Sequence, residues 1–388
     1  MRIYSKQNVK EAALDRIRYL FDEFPNVLLC FSGGKDSTVV LHLALQVARE
    51  LGRLPVRVLW IDQEAEWQGT ADYVESVMTR PDVDPLWLQM PMVITNNASS
   101  YERFNHCWQE GKEEEWIRPK HPIAKKSNPY GEERFHALFG AIMQGEYPEE
   151  KVCTIGGVRC EESPARTLGL TSGVTYKHIT WGKVRDRRRG HYDFYPIYDW
   201  SYTDVWKFIH EERVGYNRIY DELYRYGVPV RDMRISNLHH ETSVKTLLLV
   251  QEIEPKTWER IAARIAGANS IKHLKQGSFK CPAEHPPMFR NWQEYAEHLI
   301  RHIVQEQEHR DLMHRTIHDF ERYMINDTVR AAFYTCLINT VLSSDWDLTK
   351  IGNFKASPNF STLRKFLDGK ITEENYRKSK SYNKFIQL

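Results

Sequence analysis

The sequence has none of the features that mark a secreted or membrane-bound protein. It contains no run of about 18 apolar residues, so no membrane-spanning helix is expected. Its six cysteines lie far apart and include no C-x-x-C pair, which is typical of a reduced protein rather than of a disulfide framework. The N-terminus also lacks the apolar stretch of a signal peptide. We therefore expect a cytoplasmic protein.

An excess of charge of one sign is also missing. The formal net charge is +2 over 388 residues, which does not favour a dedicated nucleic-acid-binding protein. The stretch Lys183–His191 is locally basic and can either steer an acidic substrate or nucleic acid, or form a solvated loop. The hydrophobic content of 41% is enough for a substantial core, and the length predicts two or three domains.

Short apolar runs alternate with helical patterns in the first half of the chain. Val27–Phe31, Val56–Ile61 and Val152–Ile155 are typical of strands buried on both faces. Asn8–Phe24 and Ser37–Leu51 have helical spacing of apolar residues. Weaker patterns of the same kinds occur at Thr70–Met78 (helix), Leu86–Leu88 (strand) and Asp204–Glu212 (helix). The alternation predicts an α/β fold: a parallel twisted sheet flanked by helices, Rossmann-like, with ligands at the carboxyl ends of the strands.

The second half of the chain has a different pattern. From residue 243 onward it is helical and shows no sign of a sheet. The clearest helical segments are Thr257–Ile265, Trp292–Gln307, Thr316–Met324 and Thr328–Leu342. We expect a nucleotide-binding domain at 1–240, an irregular insertion within it at about 99–150, and a mainly helical C-terminal domain at 241–388.

The loop between the first predicted strand and the next helix is suited to phosphate. Adjacent glycines allow unusual dihedral angles and close backbone approach, so that successive amides form an anion site at a helix N-terminus. One lysine and several hydroxyl groups add charge and hydrogen bonds. The spacing is not that of a Walker A loop. We assign nucleotide binding to Ser32, Gly33, Gly34, Lys35, Asp36, Ser37 and Thr38.

This loop resembles the PP-loop of the ATP pyrophosphatase (adenine nucleotide alpha-hydrolase-like) superfamily. Ile61–Thr70, Ile155–Arg166 and Tyr195–Trp206 are similar to further segments of its phosphoadenosine phosphosulfate reductase group. The matches occur in order across about residues 27–235. The C-terminal region resembles the IbrA-type branch, which carries a domain of unknown function (DUF3440) and is described as a co-activator of prophage gene expression.

The resemblance implies that ATP is cleaved to AMP and pyrophosphate, with AMP activating an acceptor, and that Mg²⁺ assists. Catalysis is assigned to Lys35, Asp36, Arg159 and Arg166. Further nucleotide contacts are assigned to Asp62, Gly156 and Gly157, substrate contacts to Glu66, Arg231, Arg234 and His239, and Mg²⁺ binding to Asp36 and Asp62. Two alternatives remain open: Asp62 can be a structural strand-end residue, and the two arginines of Ile155–Arg166 can form ion pairs with Glu161 or Glu162.

The chain departs from the reductases in its cysteines. It lacks their C-terminal Glu-Cys-Gly-x-His segment, and its last cysteine, Cys336, lies in an apolar helical context typical of a structural thiol. Cys160 is a hypothetical reactive thiol, and Cys281 with His285 and His273 has the spacing of part of a zinc site. The alternatives to ATP cleavage are a nucleotide-sensing regulatory subunit that acts with a ParB/sulfiredoxin-like partner, and a reductase-like oxidoreductase.

Overall fold

The chain divides into two compact units, which are described separately. The computed structural model describes residues 6–96, 99, 102, 104–162, 164–171, 173–236, 238, 244–268, 281–304, 306–343 and 345–385. The first unit comprises Met1–Thr95 and Phe104–Arg264, and the second comprises Asn96–Arg103 and Ile265–Leu388. The first unit thus continues past residue 240, where the sequence suggested a boundary, and the assignment of domains remains a prediction.

The first unit is built around a six-stranded sheet. The strands of the chain are β1 (Asn26–Cys30), β2 (Val56–Ile61), β3 (Val83–Leu88), β4 (Met92–Thr95), β5 (Phe104–Cys107), β6 (Val152–Ile155), β7 (Gly182–Asp186) and β8 (His191–Phe194). The order in the sheet is β3-β2-β1-β6-β8-β7. All neighbours pair in parallel except β7, which is antiparallel to β8 at one edge. The antiparallel strands β4 and β5 form a separate ribbon.

The helices of this unit connect and cover the strands. They are α1 (Val9–Glu23), α2 (Lys35–Glu50), α3 (Gln68–Met78), α4 (Phe135–Glu146), α5 (Pro164–Thr171), α6 (Tyr202–Glu211), α7 (Ile219–Arg225), α8 (Val244–Ile253) and α9 (Pro255–Arg264). Leu28 and Leu29 of the central strand β1 point to opposite faces and are both fully buried. Burial on both faces explains why the strands are continuous apolar runs and confirms the predicted α/β fold.

The region expected to be an irregular insertion contains regular structure. It includes β5 and the helix α4, which leads into β6. Only three residues of α4, Leu138, Ile142 and Met143, are buried. Phe135, Leu138, Phe139 and Ile142 recur with helical spacing, which the sequence analysis did not single out. The segment at about 99–150 thus contains a regular helix, and its assignment as an insertion remains a prediction.

The strand order creates a crevice beside the first strand. β1 pairs with β2 on one side and with β6 on the other, so the chain winds in opposite directions from β1. The loops that follow β1 and β6 therefore leave the sheet at the same edge, next to each other. In open parallel sheets this switch point is where ligands bind.

The second unit is helical, as the sequence predicted. Its helices are α10 (Trp292–His302), α11 (Gln307–Phe320), α12 (Asp327–Leu342), α13 (Thr349–Ala356), α14 (Pro358–Leu367), α15 (Glu373–Arg377) and α16 (Lys380–Phe385). Phe320, Phe333 and Phe360 are almost fully buried in its core and stack on one another. The segments predicted as Trp292–Gln307 and Thr316–Met324 differ from the observed helices, because α10 ends at His302 and α11 already begins at Gln307. Over the described residues, none of the chain's helices has the length and apolarity needed to cross a membrane.

Candidate functional site

The loop after β1 adopts a backbone that requires glycine. Gly33 has φ of +70°, and a Cβ added to it would lie 2.9 Å from Cγ2 of Val74. Gly34 is the N-cap of α2 and provides no side-chain hydrogen bond to the helix. The N-terminal end of a 16-residue helix therefore lies at the crevice without a side-chain cap, which is the arrangement that attracts phosphate.

Hydroxyl groups hold the loop in shape. The Ser37 hydroxyl donates to the carbonyl oxygen of Gly34 over 2.9 Å, and it lies 3.2 Å from the Ser32 hydroxyl. Thr38 is fully buried, and its hydroxyl lies 3.0 Å from that of Tyr73 on α3. Ser32 and Ser37 thus lie within the loop itself, whereas Thr38 connects α2 to α3 through its contact with Tyr73.

Three charged side chains form a chain at the start of α2. The Lys35 ammonium lies 2.7 Å from the Asp36 carboxylate, and Nε of Arg159 donates to the same carboxylate over 2.5 Å. Arg159 is only 4% exposed and also pairs with Glu161, one of the partners that the sequence left open. Burial lowers the pKa of Lys35, but nearby Tyr220 and Asp36 raise it by more, so the pKa lies above its ordinary value and the group stays charged.

The loop after β6 closes against the phosphate loop. A Cβ on Gly157 would lie 2.8 Å from the backbone nitrogen of Ser37, so any side chain at this position would collide with the first turn of α2. Gly156 donates its N–H to the carbonyl oxygen of Phe194 at the end of β8. The structure therefore brings Gly156, Gly157 and Arg159 to the phosphate loop, where the sequence analysis had assigned them.

Sequence reasoning missed two residues of this site. The Tyr220 hydroxyl accepts a hydrogen bond from the backbone N–H of Lys35 over 3.3 Å, and the Lys35 ammonium lies 5.5 Å from the centre of the Tyr220 ring. Asn217 is fully buried and donates to Thr70 Oγ1 over 2.8 Å and to the Gly33 carbonyl oxygen over 3.4 Å. Asn217 lies just before α7, and Tyr220 lies in its first turn. Both residues come about 185 residues after the phosphate loop, so no local sequence pattern links them to the loop.

Asp62, at the end of β2, lies in a different environment from that expected. It is fully buried, its Oδ1 is held by the Arg118 guanidinium, and its Oδ2 accepts from Gln89 over 2.8 Å. Oδ1 also accepts the backbone N–H of Glu64. Because these partners saturate both oxygens away from solvent, the structure supports the strand-end alternative for Asp62 rather than nucleotide or metal binding.

The same buried network contains a second carboxylate. Glu64 has φ of +65° and accepts hydrogen bonds from the backbone of Trp108 (2.5 Å) and from Arg264 of α9 (3.1 Å). Arg118 also donates to the Glu64 carbonyl oxygen. Asp62, Glu64, Arg118 and Arg264, here called the buried charge network, therefore fasten β5 and α9 to the end of β2. Nothing in the sequence pattern pointed to it.

A cavity of about 150 Å³ lies between the ends of β1 and β2. Its walls are mostly apolar, and Ser32 is common to the cavity and the phosphate loop. Glu66, a predicted substrate-binding residue, is 2% exposed and lines the cavity, as does Gln63. A ligand in this cavity would therefore lie directly beside phosphate bound at the loop.

The other predicted substrate and catalytic residues are Arg166, Arg231, Arg234 and His239. Arg166, on α5, is half exposed and pairs with Glu162 over 3.5 Å, the alternative that the sequence left open. Arg234 is exposed in the segment after the turn Val230–Asp232. Arg231 lies in that turn, but its side chain is not among those described, and His239 lies outside the described residues. Their assignments remain predictions.

The residues assigned to Mg²⁺ do not form a ready-made magnesium site. The Asp62 carboxylate is paired within the buried charge network, and the Asp36 carboxylate already forms ion pairs with Lys35 and Arg159. Across the described ranges no group of three or more His, Cys, Asp or Glu residues is placed to hold a metal ion. A magnesium ion would thus depend mainly on phosphate oxygens and water, and we derive no step through it.

The geometry agrees with the comparison to known families. A family described as the phosphoadenosine phosphosulfate reductase domain matches residues 26–226, slightly more than half of the chain. The chain belongs to this family. The match covers the phosphate loop and the loops after β2 and β6, and it ends within the segment that follows α7.

Relatives of this family member include both uncharacterised and named proteins. This chain is 29% identical over 315 residues to the uncharacterised protein YbdN of Escherichia coli K12, and the matched stretch covers 76% of this chain and 75% of YbdN. It is 26% identical over 212 residues to sulfate adenylyltransferase subunit 2 of Mycolicibacterium vanbaalenii, and this match covers 54% of this chain and 62% of that subunit. The chain thus spans less than two thirds of the latter protein.

Two solved structures are also similar. Phosphoadenylyl-sulfate reductase from Candida auris, in a phosphate complex, is 15% identical, with 57% of this chain and 93% of that chain covered and a TM-score of 0.30. FMN adenylyltransferase of Candida glabrata, with FMN and an ATP analogue, is also 15% identical, with 61% and 70% covered and a TM-score of 0.36.

The family name does not by itself make this member a reductase. All six cysteines are free, and burial raises the pKa of each. Cys160, the hypothetical reactive thiol, is among them, and Cys336 has its pKa raised to about 11 and lies 3.5 Å from the Lys350 carbonyl oxygen. A nucleophilic thiolate requires a lowered pKa, so these sites do not favour thiol chemistry.

The hypothetical zinc site also gains no support from the described residues. Cys281 donates its backbone N–H to Asn339, and no group of three or more His, Cys, Asp or Glu residues in the described part of the chain is placed to hold a metal ion. The ring of His285 lies 5.7 Å from that of Trp292. His273 lies outside the described residues.

Proposed function

We propose that this protein binds ATP at the loop Ser32–Thr38 and cleaves it between the α- and β-phosphates, transferring AMP to an acceptor. The observation that carries the proposal is the helix α2, whose N-cap is a glycine without a side chain of its own and whose first turn is flanked by the cations Lys35 and Arg159. Two cations and a helix dipole at one point match the charge of a triphosphate. The adenylyl-transferring relatives support the same reaction.

The reaction needs an acceptor oxygen or sulfur with a lone pair. That atom attacks the α-phosphorus, and the bond from this phosphorus to the bridging oxygen of the β-phosphate breaks. The electron pair leaves with pyrophosphate. A hydroxyl or thiol acceptor also loses its proton to solvent, whereas sulfate has no proton to lose. Lys35 and Arg159 can stabilise the negative charge that develops on pyrophosphate, and one such fixed donor typically lowers the barrier by ~2.7–4 kcal/mol.

Asp36 connects the two cations in this proposal. Its carboxylate bridges Lys35 and Arg159, so it holds both side chains in place and neutralises part of their charge until phosphate arrives. Gly157 allows the Arg159 loop to approach α2 closely enough for this bridge to form. The chain's resemblance to the sulfate adenylyltransferase subunit suggests sulfate as the first acceptor to test.

The proposal can be tested by measuring ATP binding calorimetrically and pyrophosphate formation by ³¹P NMR, with sulfate, nucleic acid and thiol compounds as acceptors. We expect pyrophosphate and an AMP adduct in equal amounts, and at least a hundredfold lower turnover for Lys35→Ala. The matched control is Lys207→Ala, since Lys207 is 70% exposed on α6. Tight ATP binding with no pyrophosphate from any acceptor would instead favour the nucleotide-sensing subunit with a ParB-like partner.

The same proposal includes a cytoplasmic location, membership of the DUF3440 branch and a requirement for magnesium. A reductase activity is not, because the pKa of every cysteine is raised. Omitting Mg²⁺ from the assay shows whether turnover needs the ion. Of the two carboxylates assigned to Mg²⁺ only Asp36 remains at the crevice, so we expect nucleotide and metal to bind together and not the metal alone.

A further inference from the structure

Two histidines lie side by side on the solvent-facing side of α10, in the second unit. The helix buries Ala296, Leu299 and Ile300 in the core of that unit, which fixes its rotation about its own axis. His298 and His302 lie away from the buried stripe and are both exposed. They are four residues apart, the spacing that makes two side chains neighbours on one helix face.

The two imidazole rings are close enough to share one metal ion. Their centres lie 4.4 Å apart, with an angle of 43° between the ring planes. Two imidazoles on one zinc ion, with Zn–N bonds of about 2.0–2.1 Å, have ring centres roughly 5 Å apart. The Phe289 ring, 5.0 Å from that of His298, limits the movement of this side chain. The pair can therefore bind an ion through small side-chain rotations, without a change in the helix.

The ring nitrogens of this pair are not engaged by the protein. The other described histidines of the second unit each have a polar partner at 3.3–3.5 Å; they are His285, His309, His314 and His318. Within the described part of the chain, no hydrogen bond or ion pair involves His298 or His302, which contact only each other and Phe289 through their rings. Because a neutral imidazole nitrogen is the commonest metal ligand in proteins, two adjacent free lone pairs favour a metal.

We propose that His298 and His302 form a binding site for a divalent transition-metal ion, of which Zn²⁺ suits imidazole ligands well. In the residues that the structure describes, no group of three or more His, Cys, Asp or Glu side chains is placed to hold a metal ion, so the protein supplies two ligands and water completes the coordination. The ion would join the last two turns of α10 and stabilise the helix. The site lies in the second unit and does not depend on ATP binding.

The test is a calorimetric titration of the full-length wild type, His298→Asn and His302→Asn with zinc chloride. Since the second imidazole binds the ion intramolecularly, the loss of either histidine should weaken zinc binding at this site by at least about tenfold. The double variant should bind little more weakly than either single variant, because one imidazole gains nothing from a missing partner. Circular dichroism of each variant checks that the helices are intact.

A control and a second measurement make the result specific. His318→Asn removes a histidine that is 82% exposed on α11 and pairs with Glu321, and should keep the wild-type affinity. In ¹⁵N NMR spectra of wild type, zinc should shift the ring nitrogens of His298 and His302 together, at the same zinc concentration. Zinc should also raise the midpoint of thermal unfolding of wild type more than that of His302→Asn, because an ion that binds the folded state stabilises it.

The outcomes separate this inference from the proposed function. Equal zinc affinity in wild type and both single variants would overturn the site, as would an equal loss in His318→Asn or zinc shifts at other histidines and not at this pair. None of these results bears on ATP binding, and a protein that fails to bind ATP can still bind zinc at α10.

Discussion

Two carboxylates that follow neighbouring strands show how different the same sequence signal can become. Asp36 comes shortly after β1 and Asp62 directly after β2. Both appeared equally suited to hold phosphate-bound magnesium. In the structure, Asp36 remains partly exposed at the crevice between two cations, whereas Asp62 is fully buried under Arg118. One forms part of a candidate binding site, and the other contributes to the stability of the fold.

The difference arises from what lies over each strand end. At the end of β1 the chain turns into α2 through two glycines, and the Asp36 side chain there keeps part of its surface accessible. Above β2 the segment from β5 to Arg118 lies over the carboxylate and supplies Trp108 as well as the guanidinium. Charged groups near a strand end are thus functional only where the covering chain leaves access to solvent.

The largest effect should come from breaking the buried charge network. In Arg118→Met, Asp62 and Glu64 would stay buried without this cation, and the free energy of unfolding should fall by about 3–5 kcal/mol. The measurement is urea unfolding followed by circular dichroism. Arg49→Met is the matched control, because Arg49 is 62% exposed and pairs with Asp82, and it should lose at most about 1 kcal/mol. Equal losses of unfolding free energy in the two variants would show that the pairing of Asp62 with Arg118 does not stabilise the fold more than a surface ion pair does.

The second prediction concerns the carboxylate at the crevice. In Asp36→Asn, Lys35 and Arg159 no longer share their charge with a protein anion, so inorganic tripolyphosphate in magnesium-free buffer should bind about fivefold to tenfold more tightly. The free energy of unfolding should fall by about 1–3 kcal/mol, because the Asp36 side chain is only 13% exposed and the buried Arg159 loses a charged partner. Calorimetric titration measures the affinity. Weaker binding would mean that Asp36 orients the cations more than it competes with phosphate.

A smaller effect is expected at Tyr220, which joins the crevice from α7. Burial raises the pKa of Tyr220, so its hydroxyl keeps a proton at neutral pH, and the hydroxyl also accepts the Lys35 N–H. Tyr220→Phe removes this hydroxyl but keeps the ring, and should weaken ATP binding about threefold to tenfold without loss of stability. Tyr224→Phe, at a 73% exposed position of the same helix, is the control. Unchanged affinity in Tyr220→Phe would restrict the site to the residues found from the sequence.

The smallest effect concerns Glu23, a carboxylate with several partners but at the surface. Hydrogen bonds from Lys151, Tyr176 and Lys177 lower its pKa from 4.5 to about 2. Because the folded-state pKa is below its ordinary value, Glu23 stabilises the protein above about pH 4.5, and this contribution is lost as the pH falls towards 2. Glu23→Gln should lower the free energy of unfolding by at most about 1 kcal/mol at pH 7, since solvent screens the charge.

The check for Glu23 is the pH dependence of that difference. Urea unfolding of wild type and Glu23→Gln is compared at several pH values between 7 and about 2.5. The two free energies of unfolding should converge as the pH falls. A difference that stays constant would mean that the loss comes from packing and not from the charge.

Much of the first unit could be predicted because its signals are local. The apolar run of β1, the two glycines and the start of α2 stand next to one another in the sequence, and they form the phosphate loop in the structure. The glycines after β6 were also found, since a strand followed by a tight turn is again a local pattern. By contrast, α4 was missed, although its apolar residues have helical spacing in the sequence.

Partners from distant parts of the chain could not be predicted in this way. Tyr220 meets Lys35 across 185 residues, and Arg118 meets Asp62 across 56. Such contacts depend on where the helices and covering loops pack, and one sequence contains no periodic pattern that records it. The burial of Asp62 under Arg118 was therefore beyond sequence reasoning.

The sequence by itself determined the parallel sheet, the glycine loop after β1 and the cations beside it, because backbone freedom, strand burial and helix starts depend on neighbouring residues. Only the tertiary structure decided that Asp62 is buried, that Tyr220 contacts the loop and that Gln63 lines a cavity. The reason is physical: access to solvent and hydrogen-bond partners are set by residues that come together only when the sheet and its covering segments have packed.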